Sequence, residues 1–277
     1  MVIEMIRVFL ADLTCIFEEE NYHKAFSVSS PQRQRKAEKF RNLPDQARCI
    51  GAGLLLEQSV WLYQNHKMQI GLSNSHKAPE QMNEVRESMN KVPKHMNSEE
   101  LQNSIYIELQ SFLDTLCEKE RSRQERKNAY LSLQYEENGR PFLEGEGRDD
   151  IPYLSISHSG YYAAVALSDQ RVGIDIEHSR KISGAVAKKI LTQDEYKEYE
   201  TICSKSEDAA EYLLEKWTQK EAVAKLDGSG VFTLLPSLSD GDWLQAKEIE
   251  INSIKPAEGY FLSVAYQKSL YFRDGLC

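Results

Sequence analysis

The chain has 277 residues, enough for one large domain or two smaller ones with a substantial core. Hydrophobic residues make up 41% and charged residues 28%, the balance of a soluble globular protein, and the net charge of −9 excludes the broad basic footprint of a general nucleic-acid binder. A local basic pocket is still compatible with that charge. The five cysteines, Cys15, Cys49, Cys117, Cys203 and Cys277, are odd in number and lack C-x-x-C spacing. They read as reduced thiols rather than a disulfide framework or a zinc site. Neither a signal peptide nor an apolar run long enough for a membrane span is visible, so a cytoplasmic location is expected.

Ile6, Val8 and Leu10 alternate as in a strand. Ser29-Ser30-Pro31 opens a basic helix expected over Gln32 to Phe40, with proline in the first turn behind a serine cap. A second helix is expected from Asp45 to Tyr63, with Ile50, Leu54, Leu55 and Trp61 as apolar positions. Residues 64–100 are rich in Asn, Gln, His, Lys, Met and Ser and read as a flexible insertion. Leu101, Ile105, Leu109, Phe112, Leu113 and Leu116 form a helical stripe over Leu101 to Glu118, followed by a charged run to Lys127. The pattern then changes to period two. Strands are expected at Tyr130–Tyr135, Tyr153–Ser157, Tyr161–Leu167 and Val172–Glu177, with a turn at Glu137-Asn138-Gly139. The short separators between the last three predict an antiparallel meander. Thr192-Gln-Asp-Glu195 is a capping-box pattern, and a helix from about Glu207 to Leu226 stops at Asp227-Gly228. Two strands near 247–254 and 260–266 close the chain. The result is an α+β protein in which each half runs from helices to strands.

Four elements carry chemistry. In the strand Gly173-Ile174-Asp175-Ile176-Glu177, residues two apart share a side, so Asp175 and Glu177 project together while Ile174 and Ile176 face the core. Two carboxylates this close repel unless a cation lies between them or one stays protonated; the former suits Mg²⁺, and an exposed polar sheet edge is the alternative. In Trp217-Thr-Gln-Lys-Glu-Ala-Val-Ala-Lys225, at about 100° per residue, Lys220, Glu221 and Lys225 fall on the arc of Leu213, Leu214, Trp217 and Ala224. An ordinary i, i+4 ion pair explains Glu221 and Lys225 but not their place among apolar residues. A metal held with Glu221, and phosphate held by Lys220 and Lys225, explains both. Ser155-Ile-Ser157-His158-Ser159-Gly160 reads as a serine-rich turn offering hydroxyls and an imidazole to an anion, although a lone histidine can equally be structural. Ser157 and His158 are neighbours that point apart, which argues against a hydrolase dyad. Last, Arg33 and Lys36 share one helix face, with Arg48 in the next helix.

These segments, in this order, resemble the 4′-phosphopantetheinyl transferases, in particular the larger monomeric type that activates surfactin synthetase and similar assembly lines. The family's G-x-D-x-E segment corresponds to Gly173–Glu177, and its W-[ST]-x-K-E-[AS]-x-x-K segment to Trp217–Lys225 at every fixed position. Its S-H-S turn corresponds to Ser157-His158-Ser159, its G-[KR]-P segment to Gly139-Arg140-Pro141, and its early basic stretch to Ser30–Lys36. The resemblance covers roughly residues 1–63 and 129–277.

The resemblance implies two pseudo-symmetric lobes, each with helices packed on a mainly antiparallel sheet: residues 1–168, with a helical or flexible insertion at about 64–128, and residues 169–277. It implies coenzyme A in the cleft between them. It further implies Mg²⁺ held by Asp175, Glu177 (directly or through water) and Glu221 together with the coenzyme's pyrophosphate. Lys225, and with it Lys220, would face phosphate. Arg33, Lys36, Arg48 and His158 would grip the 3′-phosphate and pyrophosphate, and Arg140, Pro141 and Ser157 would lie beside the adenine. A serine of an apo acyl or peptidyl carrier protein would attack the phosphorus of the pantetheine arm, with Glu221 as the base and 3′,5′-ADP leaving. A monomer with no nucleic-acid or membrane partner is expected. The alternatives are an inactive module that binds coenzyme A or a carrier protein, and a metal-dependent nuclease, which the acidic charge disfavours. The chain departs from the family pattern in the insertion, in Glu38 within the basic helix, and in Cys49, which stands where a small hydroxyl residue is common.

Overall fold

The computed structural model describes residues 6–71, 104–108, 113, 132–137, 140–145, 151–179, 184–204, 209–238 and 243–267. Three sheets organise them. The first has the order β2-β1-β6-β5, from β1 (Ile6–Asp12), β2 (Ser104–Glu108), β5 (Tyr153–Ser159) and β6 (Tyr162–Ser168). The second is the hairpin of β3 (Ser132–Tyr135) and β4 (Pro141–Glu144). The third has the order β7-β9-β8, from β7 (Val172–His178), β8 (Ile249–Ile254) and β9 (Tyr260–Gln267). Every pairing is antiparallel except β1 with β2. This is the expected α+β architecture with mainly antiparallel sheets.

The side-chain alternation of β1 and β6 explains how the layers stack. Phe9, Ala11, Ala163, Val165 and Leu167 face helices α1 (Glu19–Val28), α2 (Pro31–Ala37) and α3 (Leu43–Gly71), in one core with Ile50, Leu54 and Leu55. Val8, Leu10, Ala164 and Ala166 face the opposite way, onto Val172, Ile174, Ile176, Leu262 and Val264 of the third sheet. The far side of that sheet carries α6 (Ala209–Asp227), which buries Ala222, Val223, Ala224 and Leu226 against Ala265 and helix α7 (Val231–Leu238). Helices α4 (Gly184–Ile190) and α5 (Gln193–Cys203) pack on α6 through Ala187, Ile190, Leu191 and Leu213, and α8 (Trp243–Ala246) leads into β8. Among the described residues no helix is long and apolar enough to cross a membrane.

Several sequence expectations hold. The Ser30 hydroxyl caps α2 by accepting the Arg33 N–H, with Pro31 at the first helical position. Thr192 and Glu195 form the reciprocal capping box of α5. Helix α6 ends at Gly228, which takes a φ of 88°.

Others are corrected. The stripe expected as a helix from Leu101 contains a strand, Ser104–Glu108, because Ile105, Tyr106 and Ile107 are strand-favouring residues and find β1 as a parallel partner. The rest of that stripe, apart from Leu113, lies outside the described residues, as does the charged run. Helix α2 ends at Ala37 rather than Phe40, and α3 runs on past Tyr63 to Gly71, into the start of the expected insertion. His158 and Ser159 belong to β5 rather than to a turn, since the ladder with β6 persists to Ser159–Tyr162. β7 leaves the expected meander and pairs with β9. Helix α1, whose Tyr22, Ala25 and Val28 are spaced three apart and buried, is an element the sequence reading passed over.

Candidate functional site

The site lies where β5, the edge of the first sheet, meets β7, the edge of the third. Ile174 and Ile176 are fully buried between the sheets, so Gly173, Asp175 and Glu177 turn to the other side, as the period of two requires. Gly173 makes the next contact possible. A Cβ there would lie 1.9 Å from the Ala222 carbonyl oxygen and 2.6 Å from the Leu226 nitrogen. Only glycine lets the α6 backbone lie this close to β7 and brings Glu221 and Lys225 beside Asp175.

The Asp175 carboxylate is 4% exposed, and its two oxygens differ. Oδ1 accepts from Lys225 Nζ at 2.7 Å and from Ser157 Oγ at 2.8 Å. Oδ2 is buried with no hydrogen-bond partner. A buried carboxylate oxygen left in that state is costly unless a cation or donor reaches it. Glu177 accepts from Ser159 Oγ at 2.9 Å through Oε2, and Trp217 Nε1 lies 3.4 Å from Oε1. Glu221 is half-buried. Burial, with the charges of Asp175 and Glu177, pushes its carboxyl up to about 7, and Lys225 opposes the shift in part. A group poised there exchanges its proton near neutral pH.

The donor set suits Mg²⁺, which takes oxygen ligands and usually only one or two carboxylates, leaving its other positions to water and phosphate. Asp175 Oδ2, buried without a partner near Glu221, is an atom that could meet such a cation. The expected trio is not drawn together as a ligand set, however. Among the described residues no three His, Cys, Asp or Glu side chains are gathered to hold a metal ion, and Lys225 takes the place of a cation at Oδ1.

On the other side of β5 lies a group of cations. His158 points toward the helical layer of the first lobe and is exposed, although protein atoms crowd round it as at the wall of an open cleft. That crowding, with Lys225, Arg48 and Lys36 nearby, pushes its pKa down to about 4, so the imidazole is neutral at physiological pH. Lys36 reaches Tyr135 of the hairpin, 5.0 Å above its ring and 3.4 Å from its hydroxyl. Arg33 is 8% exposed, lies along α3 over Gly53, and has no anionic partner among the described residues. A nearly buried guanidinium without a carboxylate is the cationic counterpart of the Asp175 oxygen. Arg140 and Pro141, at the start of β4, line a cavity of about 310 Å³ with Phe142, Tyr153 and Arg171. Cys49, 2% exposed, belongs to the α3 core.

Three expected ligand contacts are used differently. Lys220 is 6% exposed and turned away from β7. It donates to Glu195 Oε2 at 2.5 Å and to the Ile190 carbonyl at 2.9 Å, which ties α6 to the capping box of α5. Burial alone would raise the Glu195 carboxyl, but Lys220 and the Thr192 N–H hold it below its ordinary value. Ser157 is turned toward Asp175 rather than toward an open pocket. Arg48 is engaged by Asp45 and by the Gly160 carbonyl at 3.2 Å. The hydroxyls of Ser155 and Ser159, expected to face an anion, instead meet the Ile174 N–H, and the His178 N–H with Glu177. Their signal was present as polar residues two apart on one side of an otherwise apolar strand.

Part of this site falls in a stretch that is similar to known proteins. Residues 171–271, which hold β7, α6 and both central motifs, match the family model described as the 4′-phosphopantetheinyl transferase superfamily. Among curated relatives, the 4′-phosphopantetheinyl transferase Sfp of Bacillus subtilis is 31% identical over 106 residues, 38% of this chain and 44% of that protein. The 4′-phosphopantetheinyl transferase psf-1 of Bacillus pumilus is 35% identical over 103 residues, 36% of this chain and 41% of that protein. The 4′-phosphopantetheinyl transferase gsp of Aneurinibacillus migulanus is 30% identical over 105 residues, 38% of this chain and 41% of that protein. The chain thus covers less than half the length of these relatives, and over that stretch the resemblance read from the motifs is borne out.

Proposed function

We propose that this chain transfers the 4′-phosphopantetheine arm of coenzyme A to a serine of an apo acyl or peptidyl carrier protein, in a Mg²⁺-dependent reaction that releases 3′,5′-ADP. One observation carries the reading. A buried carboxylate oxygen, Asp175 Oδ2, has no hydrogen-bond partner, and a nearly buried guanidinium, Arg33, has no anionic partner among the described residues. Each calls for the opposite charge: a Mg²⁺ ion accompanying a pyrophosphate would meet the first, and the 3′-phosphate on the ribose of coenzyme A would meet the second. The family match over 171–271 supports the choice of coenzyme A.

On this reading Asp175, with Glu177 and Glu221 beside it, holds Mg²⁺, which when bound supplies charge neutralisation on the pyrophosphate. Arg33, Lys36 and His158 grip the 3′-phosphate and pyrophosphate, and Arg140 and Pro141 lie beside the adenine. Glu221 accepts the proton of the carrier serine as its oxygen bonds to the phosphorus of the pantetheine arm. The phosphoanhydride bond breaks, and Lys225 stabilises the charge that develops on the departing 3′,5′-ADP. The lobe division at 168–169 belongs to the same reading, supported by the change of sheet between β6 and β7. The protein is taken to act as a monomer in the cytoplasm.

Chromatography of coenzyme A incubated with the chain, Mg²⁺ and a panel of apo carrier proteins tests this directly. Release of 3′,5′-ADP that needs a carrier, and is lost in Asp175→Ala and Glu221→Ala, is the expected result. Tight coenzyme A binding with no release across the panel would show a binding module instead.

A further inference from the structure

The carboxylates assigned to the metal stand on the second lobe, yet side chains of the first lobe aim them. β5 and β7 lie against each other but share no sheet. What joins them is every second side chain of β5. Ser155 Oγ accepts the Ile174 N–H at 3.0 Å. Ser157 Oγ donates to Asp175 Oδ1 at 2.8 Å. Ser159 Oγ accepts the His178 N–H at 3.0 Å and donates to Glu177 Oε2 at 2.9 Å.

The rungs differ in kind. Ser155 meets only backbone. Ser157 and Ser159 each meet a carboxylate, and Ser159 does so while its own oxygen is fixed by a backbone N–H. Its single proton is therefore directed at Glu177 rather than free to rotate. A hydroxyl that holds one carboxylate oxygen leaves the other aimed in a set direction, which is how groups behind a metal ligand tune its affinity. At Asp175 the result is visible, since Oδ1 takes two donors and Oδ2 is left buried without one.

We infer that Ser159 is a positioning residue for the metal site, and that the Ser157 and Ser159 hydroxyls set the geometry of the second lobe's carboxylates from the first. The inference rests on the metal reading above. It makes cation affinity depend on how the two lobes sit against each other. It also gives the second serine of the Ser-His-Ser segment a task distinct from touching coenzyme A.

Mn²⁺ binding to the full chain, followed by the electron paramagnetic resonance of free Mn²⁺ with coenzyme A present, separates the possibilities. Ser159→Ala should weaken Mn²⁺ about 10-fold or more, Ser159→Thr should restore it, and Ser157→Ala should weaken it at the neighbouring rung. Ser155→Ala loses a rung of the same strand pair but should keep wild-type Mn²⁺ affinity, because its hydroxyl touches no carboxylate. Equal affinity in Ser159→Ala and wild type, or an equal loss in Ser155→Ala, would overturn the inference. A wild-type chain that binds no Mn²⁺ would overturn the metal reading and the inference together.

Discussion

Glu221 is where the charge balance of the site is most exposed to measurement. Its carboxyl is raised from an ordinary 4.5 to about 7 by burial and by the charges of Asp175 and Glu177. Because the folded-state value lies above the unfolded one, the group costs nothing below about pH 4.5, where both states are protonated; the cost to the metal-free protein grows from there to about pH 7 and is constant above it. At ~1.4 kcal/mol per pH unit the full shift corresponds to about 3 kcal/mol. Glu221 is only half-buried, so solvent screening reduces the measurable cost to roughly 1–2 kcal/mol. Glu221→Gln removes the charge and keeps the shape. Urea denaturation of the metal-free protein at pH 5 and pH 8 should therefore show the variant within error of wild type at pH 5 and more stable by roughly 1–2 kcal/mol at pH 8. The same variant should be inactive at both values. Parallel pH profiles for the two proteins would refute the argument that this carboxyl is crowded by its neighbours.

Three further substitutions probe the supports of the site. Gly173→Ala places a methyl 1.9 Å from a backbone oxygen of α6, so it should cost about 3 kcal/mol or more in denaturation and abolish transfer as α6 lifts off β7. Lys220→Met removes the buried partner of Glu195; it should cost roughly 2–3 kcal/mol, while calorimetry finds coenzyme A affinity in the folded variant unchanged. A large loss of affinity instead would return Lys220 to the phosphate contacts. Gly53→Ala would press a methyl to 2.5 Å from Arg33 Nε and move the guanidinium. KM for coenzyme A should rise about 10-fold, the worth of one charge-assisted hydrogen bond, and KM for 3′-dephospho-coenzyme A should not change. An equal rise for both would remove Arg33 from the 3′-phosphate.

The central site was legible in the sequence because its logic is local. A period of two gives Asp175 and Glu177 a common side, and a period of 3.6 puts Glu221 and Lys225 on one face of α6. What local pattern cannot show is who meets whom across the fold. Lys220 shares the arc of Glu221, but its direction is decided by Glu195, some 25 residues away in a different helix. The pattern around Ser157 does not show that β7 lies across β5; beside Asp175 its hydroxyl has a nearer acceptor than a ligand. Ile105 fits a helical stripe and a strand equally well, and the parallel register with Phe9 decides between them. β7 follows β6 after a short link, which favours a hairpin, yet β6 already has β1 and β5 on its two sides, and β7 pairs with β9 instead.

Mass spectrometry of an apo carrier protein incubated with this chain, coenzyme A and Mg²⁺ tests the central claim most directly. The account predicts that one serine of the carrier gains the mass of a phosphopantetheine group, that chelation of the metal prevents the gain, and that Asp175→Ala does the same. An unmodified serine in every carrier offered, with the chain folded and coenzyme A intact, would contradict it.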